Sequence, residues 1–211
     1  MKTLIFDFDG TLADTLAINH QILNRLARVF RFRQTDEDEL KRLKGLPIRQ
    51  IMQAMEITPF KAPFVMAAGK YQLGKYIDDI TMPKGLVECL QQWQQDYRLG
   101  VVSTNSQSNI ERFLLKTNAP RFDFIYANAR LHGKAKSIKR AMKAQGLEKA
   151  DCIYIGDEIR DIDAARDVGI KCISVTWGYN NKAALENAKP DWMADNVEQL
   201  AICIDNLGKR N

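Results

Sequence analysis

Leu4, Ile5, Phe6 and Phe8 form a short, nearly unbroken apolar run that stops at Gly10, the pattern of a strand buried on both faces. Beyond it the apolar positions recur at helical spacing. Ile18, Ile22, Leu23, Leu26, Val29 and Phe30 mark one amphipathic helix, which Asp14 or Thr15 can cap. Thr35-Asp36-Glu37-Asp38 opens a second, with Leu40 and Leu43 inward and Gly45 as its stop. Pro47 suits the first turn of a third helix carrying Ile48, Ile51, Met52 and Met55. A fourth is predicted from about Lys61 to Asp79, with Pro63, Gly69 and Gly74 inside it.

After Met82-Pro83-Lys84-Gly85, a return hinge, the grammar changes. Leu86, Leu90 and Trp93 share one helix face. Strands are predicted at 99–103, 122–127, 152–155 and 171–175, and a short one at Trp192-Met193. Helices fall around 109–116, 134–145 (ended by Gly146), 159–168 (ended by Gly169) and 197–207. Strands separated by helices imply right-handed βαβ crossovers and a parallel sheet. The fold class is therefore α/β: a Rossmann-like parallel sheet with helices on both faces, plus an inserted all-helical domain. The expected division is 1–14 and 82–211 for the core and 15–81 for the helical cap.

The length of 211 residues suits one good-sized core, or a core plus a small accessory domain, and 45% hydrophobic with 27% charged residues is ordinary for a globular chain. No run approaches the ~20 apolar residues of a membrane span, and a strand starting at Thr3 leaves no room for a targeting segment. A cytoplasmic location is expected. Cys89, Cys152, Cys172 and Cys203 are scattered without metal-like spacing, and the last three read as small core residues in a reducing compartment. Basic residues group at Arg25, Arg28, Arg31, Arg33, Lys41, Arg42 and Lys44, and again at Lys134, Lys136, Lys139, Arg140 and Lys143. They lack interleaved aromatics or a recognition motif, so they read as solvated helix faces that also steer small anions, and no nucleic-acid partner is expected.

Asp7 and Asp9 lie where the first strand runs out, at the edge where parallel sheets bind ligands. Two acids there suit a divalent metal and a nucleophile, although an Asp- and Gly-rich turn has the same composition. Ser103, Thr104, Asn105 and Ser106 end another strand at a helix start and offer donors to a phosphate, or simply a polar helix cap. Asp157 ends a third strand with Asp161 one helical turn on, and Lys134 opens a helix against its dipole.

In this order the residues resemble the haloacid dehalogenase superfamily. Asp7-Phe8-Asp9-Gly10-Thr11-Leu12 is similar to its first motif, Ser103 after two valines to its second, Lys134 to its third (Lys136 is the alternative), and Gly156-Asp157…Asp161 to its fourth. Asp161-Ile162-Asp163-Ala164-Ala165-Arg166 with Thr176-Trp177-Gly178-Tyr179 resembles the phosphoglycolate phosphatase-like branch.

The resemblance implies a Mg²⁺-dependent phosphatase acting on a small phosphorylated metabolite. Asp7 would be the nucleophile that forms an aspartyl-phosphate, and Asp9 the general acid and base. Asp7, the Asp9 backbone carbonyl and Asp157 would hold the metal. Ser103, Thr104, Asn105 and Lys134 would bind the phosphoryl group, with Gly10, Thr11 and Asp161 in support. Gly45-Leu46-Pro47-Ile48-Arg49 is the cap loop expected over the site, with Arg49 facing a substrate acid or, equally, solvent. A sugar phosphomutase uses the same acids and is the alternative. Asp9 argues against a dehalogenase, and nothing singles out Lys41 or Lys44 as a Schiff-base lysine. A monomer or homodimer with no membrane partner is expected.

Overall fold

Strand β1 (Thr3–Phe6) runs through the middle of a six-stranded sheet, in a computed structural model that describes residues 1–129 and 133–208. Within the expected core range, residues 130–132 and 209–211 lie outside the described residues. The helical stretch that follows β1 contains α1 (Leu16–Phe30), α2 (Glu37–Leu43), α3 (Ile48–Ala54) and α4 (Ala62–Gly74), then a 3₁₀ turn at Ile77–Asp79. Next come α5 (Leu86–Asp96), β2 (Arg98–Val102), α6 (Gln107–Lys116), β3 (Phe124–Tyr126) and α7 (Lys134–Gln145). The chain closes with β4 (Cys152–Gly156), α8 (Ile159–Val168), β5 (Lys171–Val175), α9 (Lys182–Ala188), β6 (Trp192–Ala194) and α10 (Val197–Gly208).

All five strand pairings are parallel, in the order β3-β2-β1-β4-β5-β6. The chain builds outward from β1 to β3, then crosses back to place β4 on the other side of β1. The topological switch therefore lies between β1 and β4, where parallel sheets open a crevice at their carboxyl ends. Side chains of β1 alternate between layers. Leu4 and Phe6 belong to one core layer with Leu90, Trp93, Leu200 and Ile204, Phe6 stacking on Trp93, whereas Ile5 belongs to the other with Ile138, Ile162, Ala165 and Tyr154. Leu4, Ile5, Phe6 and Phe8 are all fully buried, as a central strand with helices on both faces requires.

The segments entering and leaving the helical stretch run side by side, Asp14 N–H donating to the Thr81 carbonyl across 2.9 Å. Inside it, α1 packs on α4. Two local expectations are corrected, and one helix is added. Val29 is 72% exposed: the buried residues Ile22, Leu26 and Ala27 centre the stripe toward Leu23 and Phe30, which leaves Val29 at its edge. The fourth helix stops at Gly74, and Ile77–Asp79 forms a separate 3₁₀ turn; a Cβ at Gly74 would press on Asn109 of α6, so the glycine serves close packing there. Helix α9 has no counterpart in the periodicity. Its seven residues bury only Ala184 and Leu185, and it is started by Asn181, whose Oδ1 accepts from Ala184 N–H across 2.9 Å. No helix among the described residues is long and apolar enough to cross a membrane.

Candidate active site

The turn after β1 sets two acids at the switch point. Asp7 N–H continues the ladder to the Ile155 carbonyl at 2.8 Å, and the buried Phe8 ring packs edge-on against Phe113, centroids 5.2 Å apart. Gly10 then takes φ +79°, open to glycine without strain. Its N–H reaches the Ala13 carbonyl at 2.8 Å, while Leu12 and Ala13 both donate to the Phe8 carbonyl at 3.0 Å. A tight, hydrogen-bonded turn thus holds Asp7 and Asp9 two residues apart.

The buried polar groups behind this turn form one network. Asp7 Oδ1 accepts from Phe8 N–H at 2.8 Å, and its Oδ2 is ion-paired to Lys134, the first residue of α7. Lys134 also pairs with Asp161. The other oxygen of Asp161 accepts from the N–H groups of Asp157 (3.1 Å) and Glu158 (3.0 Å) at the start of α8. Asp157 is clamped from two loops, by Thr11 Oγ1 at 2.6 Å and by Tyr179 N–H at 2.8 Å. One carboxylate oxygen each from Asp7, Asp157 and Asp161 lies within 4.8 Å of the others, and all three residues are buried.

Crowding like charges away from water shifts their protonation. Burial, reinforced by Glu158, Asp161 and Asp7, holds the Asp157 carboxyl well above its usual range. Burial raises Asp161 to about 6 even though Lys134 opposes it. Asp9 also rises to about 6, through burial and the neighbouring charge of Asp7, partly offset by the Asn105 hydrogen bond. Burial pulls Lys134 down, but Asp161 and Asp7 outweigh it and keep the ammonium charged. The site therefore carries more clustered negative charge than Lys134 neutralises. Clustered carboxylate oxygens are the hard donors that Mg²⁺ takes, so the residues present fit that ion.

The other expected residues range from buried to exposed positions. Ser103 is fully buried, its Oγ accepting from Asn105 N–H at 3.1 Å. Thr104 is half-buried and makes no side-chain hydrogen bond among the described residues. Asn105, expected to face a phosphate, instead donates its amide to both oxygens of Asp9 at 3.0 Å. Lys136, the alternative to Lys134, is exposed. Arg49 is exposed in the first turn of α3 without an ion pair among the described residues. The loop before it does reach the core, since Asn180 Nδ2 donates to the carbonyls of Lys44 (2.9 Å) and Leu46 (3.1 Å).

Sequence reasoning passed over three residues that the fold brings in. The Tyr179 hydroxyl is hydrogen-bonded to Thr15 (3.0 Å) and Asn19, joining the post-β5 loop to α1. Glu158 and Arg160 stand between the two acids of α8's entry and pair with each other. Their only trace in the sequence is position, inside Gly156-Asp157-Glu158-Ile159-Arg160-Asp161.

Comparison with known proteins agrees with this geometry. The profile described as haloacid dehalogenase-like hydrolase matches residues 4–175. A phosphoglycolate phosphatase of Synechococcus elongatus is 31% identical over 209 residues, covering 98% of this chain and 99% of that protein. The pyrophosphatase PpaX of Listeria monocytogenes is 26% identical over 214 residues, covering 97% and 96%. A haloacid dehalogenase-like family hydrolase from Streptococcus pneumoniae, known by its structure, superposes with a TM-score of 0.78 at 24% identity, covering 96% of this chain and 98% of that one. The chain belongs to the haloacid dehalogenase-like hydrolase family. Within it the chain is an enzyme of the phosphatase class.

Proposed function

We propose that the chain is a Mg²⁺-dependent phosphatase of small phosphate monoesters, working through an aspartyl-phosphate on Asp7. What supports this above all is the pairing at the switch point: Asp7 held by Lys134, with Asp9 two residues on and turned toward Asn105. Asp7 and Asp157, with the backbone carbonyl of Asp9, would hold the ion, which when bound neutralises phosphoryl charge that would otherwise repel the attacking carboxylate.

Asp7 attacks phosphorus, and the bond from phosphorus to the leaving oxygen breaks as Asp9 passes that oxygen a proton. Asp9, now ionised, takes a proton from a water that attacks the acyl phosphate, freeing Asp7 and inorganic phosphate. Asn105 positions Asp9 for both transfers. Lys134 and Ser103, with Thr104, carry the equatorial phosphoryl oxygens, and Asp161 orients Lys134. Residues 15–81 act as a cap over this centre, presenting Gly45 to Arg49 to the substrate and excluding water. A phosphorylated small acid is the favoured substrate class, the work of a cytoplasmic enzyme.

A screen of phosphorylated metabolites with phosphate release as readout, run beside p-nitrophenyl phosphate, tests this reading. Asp7→Asn is expected to fall to the buffer blank on every ester. Turnover surviving in that variant would remove Asp7 as the nucleophile.

A further inference from the structure

Arg160 is the second residue of α8, and its guanidinium is ion-paired to Glu158, itself buried, with Nη2 2.5 Å from Oε1. Its other donors, Nε and Nη1, are buried and have no hydrogen-bond partner among the described residues. Dry, unpaired guanidinium N–H groups are costly, and a folded chain rarely keeps them without a use. Charge balance alone does not explain them. The acids beside Arg160 take their hydrogen bonds elsewhere: Asp7 from Phe8 and Lys134, Asp157 from Thr11 and Tyr179, Asp161 from Lys134 and two backbone N–H groups. The charge of Arg160 still acts on the site, lowering Asp9 and Asp161 against the effect of burial.

Lys134 is already shared by two acids. A phosphoryl group arriving at Asp7 brings further negative charge and several acceptor oxygens into a place with few free donors. A planar guanidinium with open N–H positions matches such an oxyanion better than any other side chain.

We propose that Arg160 is a further substrate-binding residue, whose free N–H donors take oxygens of the phosphoryl group that Asp7 receives. Glu158 is then a positioning residue that fixes the guanidinium through Nη2. This rests on the phosphatase reading and extends it to two residues outside the expected set.

The test uses the full chain with excess magnesium chloride, p-nitrophenyl phosphate as an ester whose only anionic group is the transferred one, and calorimetric binding of inorganic phosphate. Arg160→Met alone would strand a buried Glu158, so it is combined with Glu158→Gln, which can still cap α8. The double variant is expected to lose about 10²-fold in kcat/KM and at least about tenfold in phosphate affinity. Arg160→Lys keeps the charge without the planar donors; it is expected to lose about tenfold in phosphate affinity and serves if the double variant does not fold. Wild-type turnover and phosphate affinity in a folded variant overturn the inference. So does a loss confined to esters with a second acid, such as 2-phosphoglycolate, because Arg160 would then meet another part of the substrate. If the wild type turns over no ester, the phosphatase reading fails, and the phosphate affinities alone decide for or against Arg160.

Discussion

The backbone N–H of Tyr179 donates to Oδ2 of Asp157 across 2.8 Å, tying the loop after β5 to the end of β4. That approach depends on small neighbours. A Cβ at Gly10 or at Gly178 would overlap the Asp157 carboxylate. Gly178→Ala should therefore displace Asp157 and raise the magnesium concentration for half-maximal activity by about 10–100-fold, the usual effect of losing support around a metal ligand. A magnesium titration of the variant's activity checks this. Unchanged half-saturation would place Asp157 outside the metal site.

Metal removal should act on stability as well as on turnover. Asp7, Asp157 and Asp161 are buried together, and their mutual repulsion is relieved by a bound cation. EDTA is expected to stop turnover and added magnesium to restore it. Magnesium should also raise the melting temperature of the wild type, and Asp157→Asn should lose most of that rise. Equal shifts in both proteins would show that the ion binds elsewhere.

Tyr179→Phe isolates the contact between the post-β5 loop and α1. The hydroxyl satisfies Thr15 and Asn19 in a part-buried setting, and removing it leaves both without that partner. The expected cost is about 1–3 kcal/mol in urea unfolding. A loss well below that range would mean that water replaces the hydroxyl.

The cysteines offer a check on burial. Burial pushes the Cys152 thiol up to about 11 and Cys172 higher still. Both stay protonated at pH 8, and the thiolate is the reactive form. Cys89 and Cys203 are half-buried. Iodoacetamide at pH 8 should add no more than two groups to the native chain, and four after denaturation, read by intact mass. A third adduct on the native chain would contradict the packing of β4 and β5.

Much of the fold was legible because its signals are local. The apolar run of β1, the Leu86, Leu90 and Trp93 stripe on α5 and the glycines that end α7 and α8 each speak through neighbours a few residues away. Helix α7, Lys134–Gln145, and strand β5, Lys171–Val175, fall where the pattern puts them. Helix α9 escaped because seven residues with two buried positions make no periodicity. Thr11, expected by resemblance only in a supporting role, bonds Asp157 from 146 positions away.

Residue order alone determined that this chain builds a parallel sheet and sets Asp7, Asp9 and Asp157 where its strands run out, with Asp161 one helical turn on, because strand and turn preferences are written in short stretches. Only the tertiary structure decided that Asn105 turns to Asp9, that Tyr179 clamps Asp157, and that Arg160 keeps two donors open. Those outcomes depend on which loops arrive at the same place and which donors are still free when they meet. Periodicity carries no record of either, since both are settled by packing between residues far apart in the chain.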